Sequence, residues 1–266
     1  MYPITPIVYD APIAMPAAEN AAILAYDGSD LCRGSAQRRE QTGQSDEAQC
    51  FNFALHMQKN AGRDQLEADI RAKYREVYDA SLQAFLPVLL NMSCAGKNQA
   101  ALGLRPGYCG SMFLENYLDV PVEQSLAALV KQPIDRSSLV EIGNLVSRCK
   151  GGSQLLFVVL AATLYEAGYR WMVFTATPQV KKLIERLQFS PLELASANPE
   201  VLGEQASVWG SYYRTRPKVM VANLEQAMAA GRSSGVLHKT LEYYQPVVTR
   251  LAQCLRDHRR MGACLR

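Results

Sequence analysis

Between Leu139 and Phe189 two structural periods alternate in a fixed order, and few folds accommodate that order. Leu139–Val146 reads as a strand, followed by a loop with paired glycines and a helix over about Ser153–Ala167. A strand over Arg170–Ala176 and a second helix opened by Pro178 complete the stretch. The apolar run Leu155–Ala162 predicts a helix buried nearly all round. Thr177-Pro178 predicts a helix start, with a capping hydroxyl followed by proline at the first helical position. The glycine pair falls between strand and helix, where backbone N–H groups can gather around a phosphate.

The flanking sequence supplies partners for these strands. Phe51, Phe53, Leu55 and Met57 alternate with other residues and predict a first strand. Ile70, Tyr74, Val77, Tyr78, Leu82 and Phe85 form one apolar stripe, predicting a helix over Leu66–Phe85 that Pro87 ends. Val88–Met92 and Gln99–Leu104 read as a hairpin turning at Ala95-Gly96-Lys97-Asn98. A helix follows from near Pro121 through Val130. Beyond Phe189 the sequence is loop-rich until a last strand at Lys218–Ala222, with helices from about Asn223 and Leu241. Helix, antiparallel hairpin, then strand–helix–strand–helix predicts an α/β fold, a central mixed sheet with helices on both faces.

Composition narrows the function classes. With 48% hydrophobic and 20% charged residues the chain is a globular type, and no apolar run approaches the ~18 residues of a membrane span. The proline-broken start MYPITPIVYDAPIAMP lacks the basic region of a secretory signal, so a cytoplasmic location is expected. Seven scattered cysteines without a C-x-x-C pair predict neither a zinc site nor a disulfide framework. No nucleic-acid partner is expected, and the net charge of +3 hides an asymmetry. Residues 1–64 carry five basic and eight acidic side chains, whereas 226–266 carry seven basic and two acidic. The expected division is an N-terminal extension at 1–65, one domain at 66–225 and a C-terminal helical extension at 226–266.

The central stretch resembles the core of the GNAT acyltransferase superfamily. There a Q/R-x-x-G-x-G/A loop after a central strand cradles the pyrophosphate and pantetheine arm of an acyl carrier. Arg148-Cys149-Lys150-Gly151-Gly152-Ser153 supplies the arginine and first glycine, with Ser153 in the last small position. Val180–Phe189 is similar to the superfamily's closing helix, with Gln188 in place of its glycine. Five further motifs resemble the bacterial thermostable hemolysin family across about residues 66–225: Ala100–Arg105, Phe113–Asp119, Val140–Leu145, Val173–Thr177 and Trp209–Tyr213. That family is in turn similar to the acyl-homoserine-lactone synthases. Glu141 matches the glutamate of their E-x-S-R strand motif, but Gly143 and Asn144 replace its serine and arginine.

The resemblance implies a GNAT-like acyltransferase that takes its acyl group from acyl-CoA or an acyl carrier protein, with phosphopantetheine as the carrier and no metal. A small-molecule amine or hydroxyl would be the acceptor. S-adenosylmethionine is not expected in that role, given Gly143 and Asn144. Arg148, Lys150, Gly151, Gly152 and Ser153 would hold the carrier, although an ordinary strand-to-helix turn has the same composition. Glu141 suits either a catalytic base or an ion pair with Arg105. Glu115 suits a second acid–base or acceptor-binding role, or plain solvation. Arg105, Asn144, Phe174, Thr175, Trp209 and Tyr212 are the candidate substrate-binding residues, and the two aromatic ones suit a core equally well. Two other readings stay open: a membrane-active cytolysin, and a scaffold that binds acyl carriers without turnover. The arginine-rich stretch Tyr243–Arg266 could meet a membrane, pack on the domain or pair two subunits.

Overall fold

The computed structural model describes residues 51–58 and 60–264. The expected extension at 1–50 lies outside these. Seven strands form one sheet: β1 (Asn52–His56), β2 (Val88–Cys94), β3 (Lys97–Pro106), β4 (Leu139–Ser147), β5 (Trp171–Ala176), β6 (Leu192–Ser196) and β7 (Lys218–Asn223). Their order is β1-β2-β3-β4-β5-β7-β6. Only β4 and β5 run parallel; every other pair is antiparallel. The crossover between the parallel pair contains the helix Gly152–Glu166 of the central stretch, as the sequence order requires.

Among the described residues six α-helices accompany the sheet: α1 (Arg63–Tyr78), α2 (Val122–Val130), α3 (Gly152–Glu166), α4 (Pro178–Arg186), α5 (Leu224–Ser233) and α6 (Gly235–Cys264). One face is closed by α3 to α6. There Leu156, Val159, Leu160 and Leu164 of α3 join Ile184, Leu224, Val248, Leu251 and Leu255 in one core. Each buried Leu or Val contributes about 1.5–3 kcal/mol by leaving water. The other face is covered by α1, α2 and 3₁₀ segments, whose aromatic and aliphatic side chains form two smaller cores. The expected α/β mixed sheet with helices on both faces is the observed fold.

Several local expectations change. The stripe predicted as a helix to Phe85 is helical only to Tyr78, where Asp79 turns left-handed at φ 55 and its N–H caps the Arg75 carbonyl. Leu82, Phe85 and Leu86 are still buried, because tertiary bonds replace helical ones. Arg71 donates to the Leu82 carbonyl, and the buried Arg63 donates to those of Leu86 and Pro87. The hairpin turns through Ala95 and Gly96 alone, both at positive φ, the geometry favoured for two-residue hairpin loops.

Strand β6 lies in the stretch beyond Phe189 that the sequence predicts to be loop-rich. It is short, largely solvent-facing and at the sheet edge, so it carries little of the alternation that marks a strand. The expected first strand is β1, and it and the start of α1 fall within residues 52–65. The last helix starts at Gly235 rather than Leu241 and continues through Pro246. Gln188, at the position of the superfamily's glycine, is at φ 60. It keeps the left-handed end of α4 without the residue that usually supplies it.

Candidate functional site

The parallel ladder between β4 and β5 pairs residues only from Leu139↔Trp171 to Ile142↔Phe174. Both strands continue beyond that point, β4 to Ser147 and β5 to Ala176, so they diverge. A small cleft opens where they part, lined by Ile142, Gly143, Leu145, Phe157, Phe174, Thr175 and Val180. The candidates Phe174 and Thr175 therefore line a cavity. On the β3 side, Gly103 pairs with Gly143 and Ala101 with Val146. Three residue steps on β4 thus oppose two on β3, a bulge that contains Asn144 at φ 53.

Asn144 is fully buried, and its Oδ1 accepts the Leu86 N–H at 3.0 Å. Its face of the sheet is the one that carries Glu141. Glu141 is 3% exposed. Its carboxylate accepts the N–H groups of Phe113 (3.1 Å) and Leu114 (2.9 Å) and stands 3.7 Å from Arg105 Nε across the β3–β4 pair. Burial pushes its pKa up to about 7, against the pull of Leu114 N–H, Arg105 and Phe113 N–H. The expected ion pair with Arg105 is thus present, and the Arg105 guanidinium also donates to the Ser111 carbonyl at 2.6 Å.

The N–H groups that Glu141 accepts belong to a 3₁₀ turn, Phe113–Tyr117. Glu115 of that turn is held from several directions. Arg136 donates to both its oxygens (2.7 and 2.9 Å), and the Met112 and Val122 N–H groups add 2.7 and 3.0 Å bonds. Burial would raise the Glu115 pKa, but the Arg136 bonds and the two backbone N–H groups outweigh it and hold it below the ordinary value. Arg136 also donates to Glu123, to the Gly107 carbonyl and to the Gly110 carbonyl. Sequence reasoning missed Arg136. Nothing in its own turn, Asp135-Arg136-Ser137-Ser138, signals a partner 21 residues away.

The paired glycines have separate jobs. Gly151 is left-handed at φ 77 just before α3. A Cβ on Gly152 would stand 2.5 Å from Cys149 Sγ and 2.7 Å from Ser147 Oγ, so a side chain there would force both to shift. Arg148 is half-exposed and 3.8 Å from Asp69 of α1, while burial pushes the Cys149 thiol pKa up. The turn places Arg148 and Lys150 just before the N-terminus of α3 and Ser153 in its first turn.

Trp209 and Tyr212 are 0% and 1% exposed and stack with Phe113, Tyr78 and Tyr213 in the core under α1. They are core side chains rather than the lining of an open pocket. The Tyr117 and Tyr213 hydroxyls hydrogen-bond across the same layer. Thr177 is at the cap position of α4 but makes no capping bond through its side chain. Among the described residues no cluster of metal-ligating side chains is present. None of their helices is long and apolar enough to cross a membrane.

A mixed sheet whose one parallel pair splays over a cleft, with a glycine turn entering the crossover helix, defines the protein class. The family model described as thermostable hemolysin matches residues 56–228. The chain belongs to that family. No curated protein matches the sequence. Among solved structures it is similar to the AHL synthase LasI, at 11% identity over 68% of this chain and 94% of that one, with a TM-score of 0.48. It is similar also to FeeM, an N-acyl amino acid synthase from uncultured soil microbes, at 10% identity, 70% and 96% coverage and a TM-score of 0.47. A third is BjaI, a CoA-dependent acyl-homoserine lactone synthase solved with SAM and isopentyl-CoA, at 11% identity, 72% and 99% coverage and a TM-score of 0.47.

Proposed function

We propose that this protein is a GNAT-like acyltransferase, moving an acyl group from a phosphopantetheine thioester to an amine or hydroxyl acceptor. The observation that carries the reading is the apolar cleft at the β4–β5 splay, flanked by the glycine turn of α3. Ile142, Leu145, Phe157, Phe174 and Val180 offer an apolar slot for the arm and acyl chain. Arg148, Lys150 and the start of α3 offer positive charge for the phosphates at its mouth.

Glu141 is the base in this reading. A carboxyl with a pKa of about 7 is partly ionised at neutral pH and can take a proton from the attacking group, directly or through one water. Arg105 and the two turn N–H groups hold it in place meanwhile. Glu115, with both oxygens engaged by Arg136, serves to fix the turn rather than to move a proton. The family-matched residues 56–228 form the catalytic part, with the last helix closing its back.

Calorimetric titration with CoA, with octanoyl-CoA and with a holo acyl carrier protein tests the proposal and separates the two donor classes. Saturable binding of at least one, weakened by Arg148→Ala, is expected. Folded protein that binds none of them overturns it.

A further inference from the structure

The last helix makes contacts beyond those that hold it on the sheet. Val248, Leu251, Ala252 and Leu255 of α6 are buried in one core with α3. Arg250 and Arg256 donate to the carbonyls of Phe53 and Glu166. One turn further on, His258 and Arg259 reach a different part of the molecule. His258 Nδ1 is hydrogen-bonded to the Tyr108 hydroxyl at 3.1 Å. The Arg259 guanidinium lies 5.9 Å from the centre of the Tyr108 ring and donates to Ser137 Oγ at 2.9 Å.

The two segments grasped in this way are the ones that support Glu141. Tyr108 follows Gly107, whose carbonyl accepts Arg136 Nε at 3.2 Å, and Ser137 follows Arg136 itself. A Cβ on Gly107 would collide with the Arg136 carbonyl oxygen, so the segments meet backbone to backbone. From there the path is short. Arg136 grips Glu115, and Glu115 accepts the Met112 and Val122 N–H groups. The same 3₁₀ turn gives the Phe113 and Leu114 N–H groups to Glu141. Bonds and chain neighbours thus run without a gap from residues 258–259 to the buried carboxyl. The family-matched residues end at 228, so this support comes from outside them.

We infer that His258 and Arg259 are positioning residues for Glu141: the end of α6 clasps the 107–109 and 136–138 segments together and so holds the 113–117 turn against the carboxylate. The inference rests on the acyltransferase reading for the role of Glu141 and adds to it a part for the last helix. Neither residue touches a reacting atom. Packing alone would cost stability on removal and leave Glu141 unchanged.

The test is the double variant His258→Ala with Arg259→Ala, which cuts both ties and keeps the buried anchors and a good helix former at each position. Full-length protein labelled with [13C]glutamate is titrated by NMR, the Glu141 carboxyl signal being the one absent from Glu141→Gln. The charged groups facing that carboxyl are Arg105 from β3 and Glu115 from the turn, and both stay in place of sequence. Loosened Leu114 and Phe113 N–H groups stabilise the anion less, so the midpoint should move up by roughly half to one pH unit, part of one charged hydrogen bond. Glu115 acts in the opposite sense on leaving and is the weakest of these causes. Thiol release from octanoyl-CoA should show a kcat about three- to tenfold lower with KM unchanged, because the donor site is untouched. Ser137→Ala, which removes only the acceptor of Arg259, carries the same test if the double variant unfolds. A midpoint equal to that of wild type in a folded variant overturns the inference. Wild type that releases no thiol removes the acyltransferase reading, a separate failure, and the titration still decides the clasp.

Discussion

The two faces of the sheet are held by different forces. On the α3 side, residues Leu155–Leu164 are buried without a break, and stability there is a sum of apolar area. On the α1 side the core is interrupted by polar groups that are buried and fixed: Glu141 on the 113–117 turn, Glu115 in the grip of Arg136, Asn144 on Leu86. A chain of side chains, His56–Asn91–Asn98–Asp69, crosses the same face toward Arg148. Apolar packing tolerates repacking at modest cost, whereas a directed bond fails when one partner goes. The first face supplies rigidity and the second supplies geometry, and the cleft lies where the two strands between them separate.

Glu141→Gln should sharpen this contrast most. The amide keeps the volume, so the protein should fold, while thioester cleavage followed by thiol release is expected to fall by roughly 10²–10⁴. The same variant carries a pH signature. The folded carboxyl binds its proton up to about pH 7, above the ordinary value of 4.5. Wild-type stability should therefore fall as pH rises from about 4.5 through 7, then level off. Denaturant titrations should lose that decline in Glu141→Gln. A wild-type cleavage rate would end Glu141's role as base.

Arg136→Ala comes next. It strips Glu115 of its ion pair where the two side chains are only 26% and 16% exposed. Partial burial puts the cost at about 2–3 kcal/mol, below that of a fully buried pair, measurable by urea unfolding. The turn that donates to Glu141 should loosen with it, so cleavage should drop although Arg136 touches no reacting atom. A stability change within experimental error would mean that the turn holds itself.

The smallest expected effect on stability is that of Arg148→Ala, within about 0.5 kcal/mol for a half-exposed side chain with one long ion pair. CoA affinity should nevertheless fall by about tenfold if the guanidinium meets phosphate. An unchanged affinity would return the glycine turn to an ordinary strand-to-helix connection.

Much of this was readable in the amino-acid order. The strand–helix–strand–helix of residues 139–189, the hairpin and the last strand appear in sequence because period-2 and near-continuous apolar runs report local burial. The glycine turn was legible too, since glycine suits φ 77 at Gly151 and the crowded space at Gly152 best. What tertiary structure decided lay in contacts between distant segments. The helix stripe to Phe85 stops at Tyr78 because Arg63, Arg71 and Asn144 hold the backbone beyond it. The acidities of Glu115 and Glu141 part because Arg136 grips one while burial dominates the other. The splay of β4 from β5, which makes the cleft, follows from where the ladder ends and not from either strand's own residues. Local propensity depends on neighbours a few residues apart. A pKa, an amide orientation or a cavity depends on what the fold brings from elsewhere.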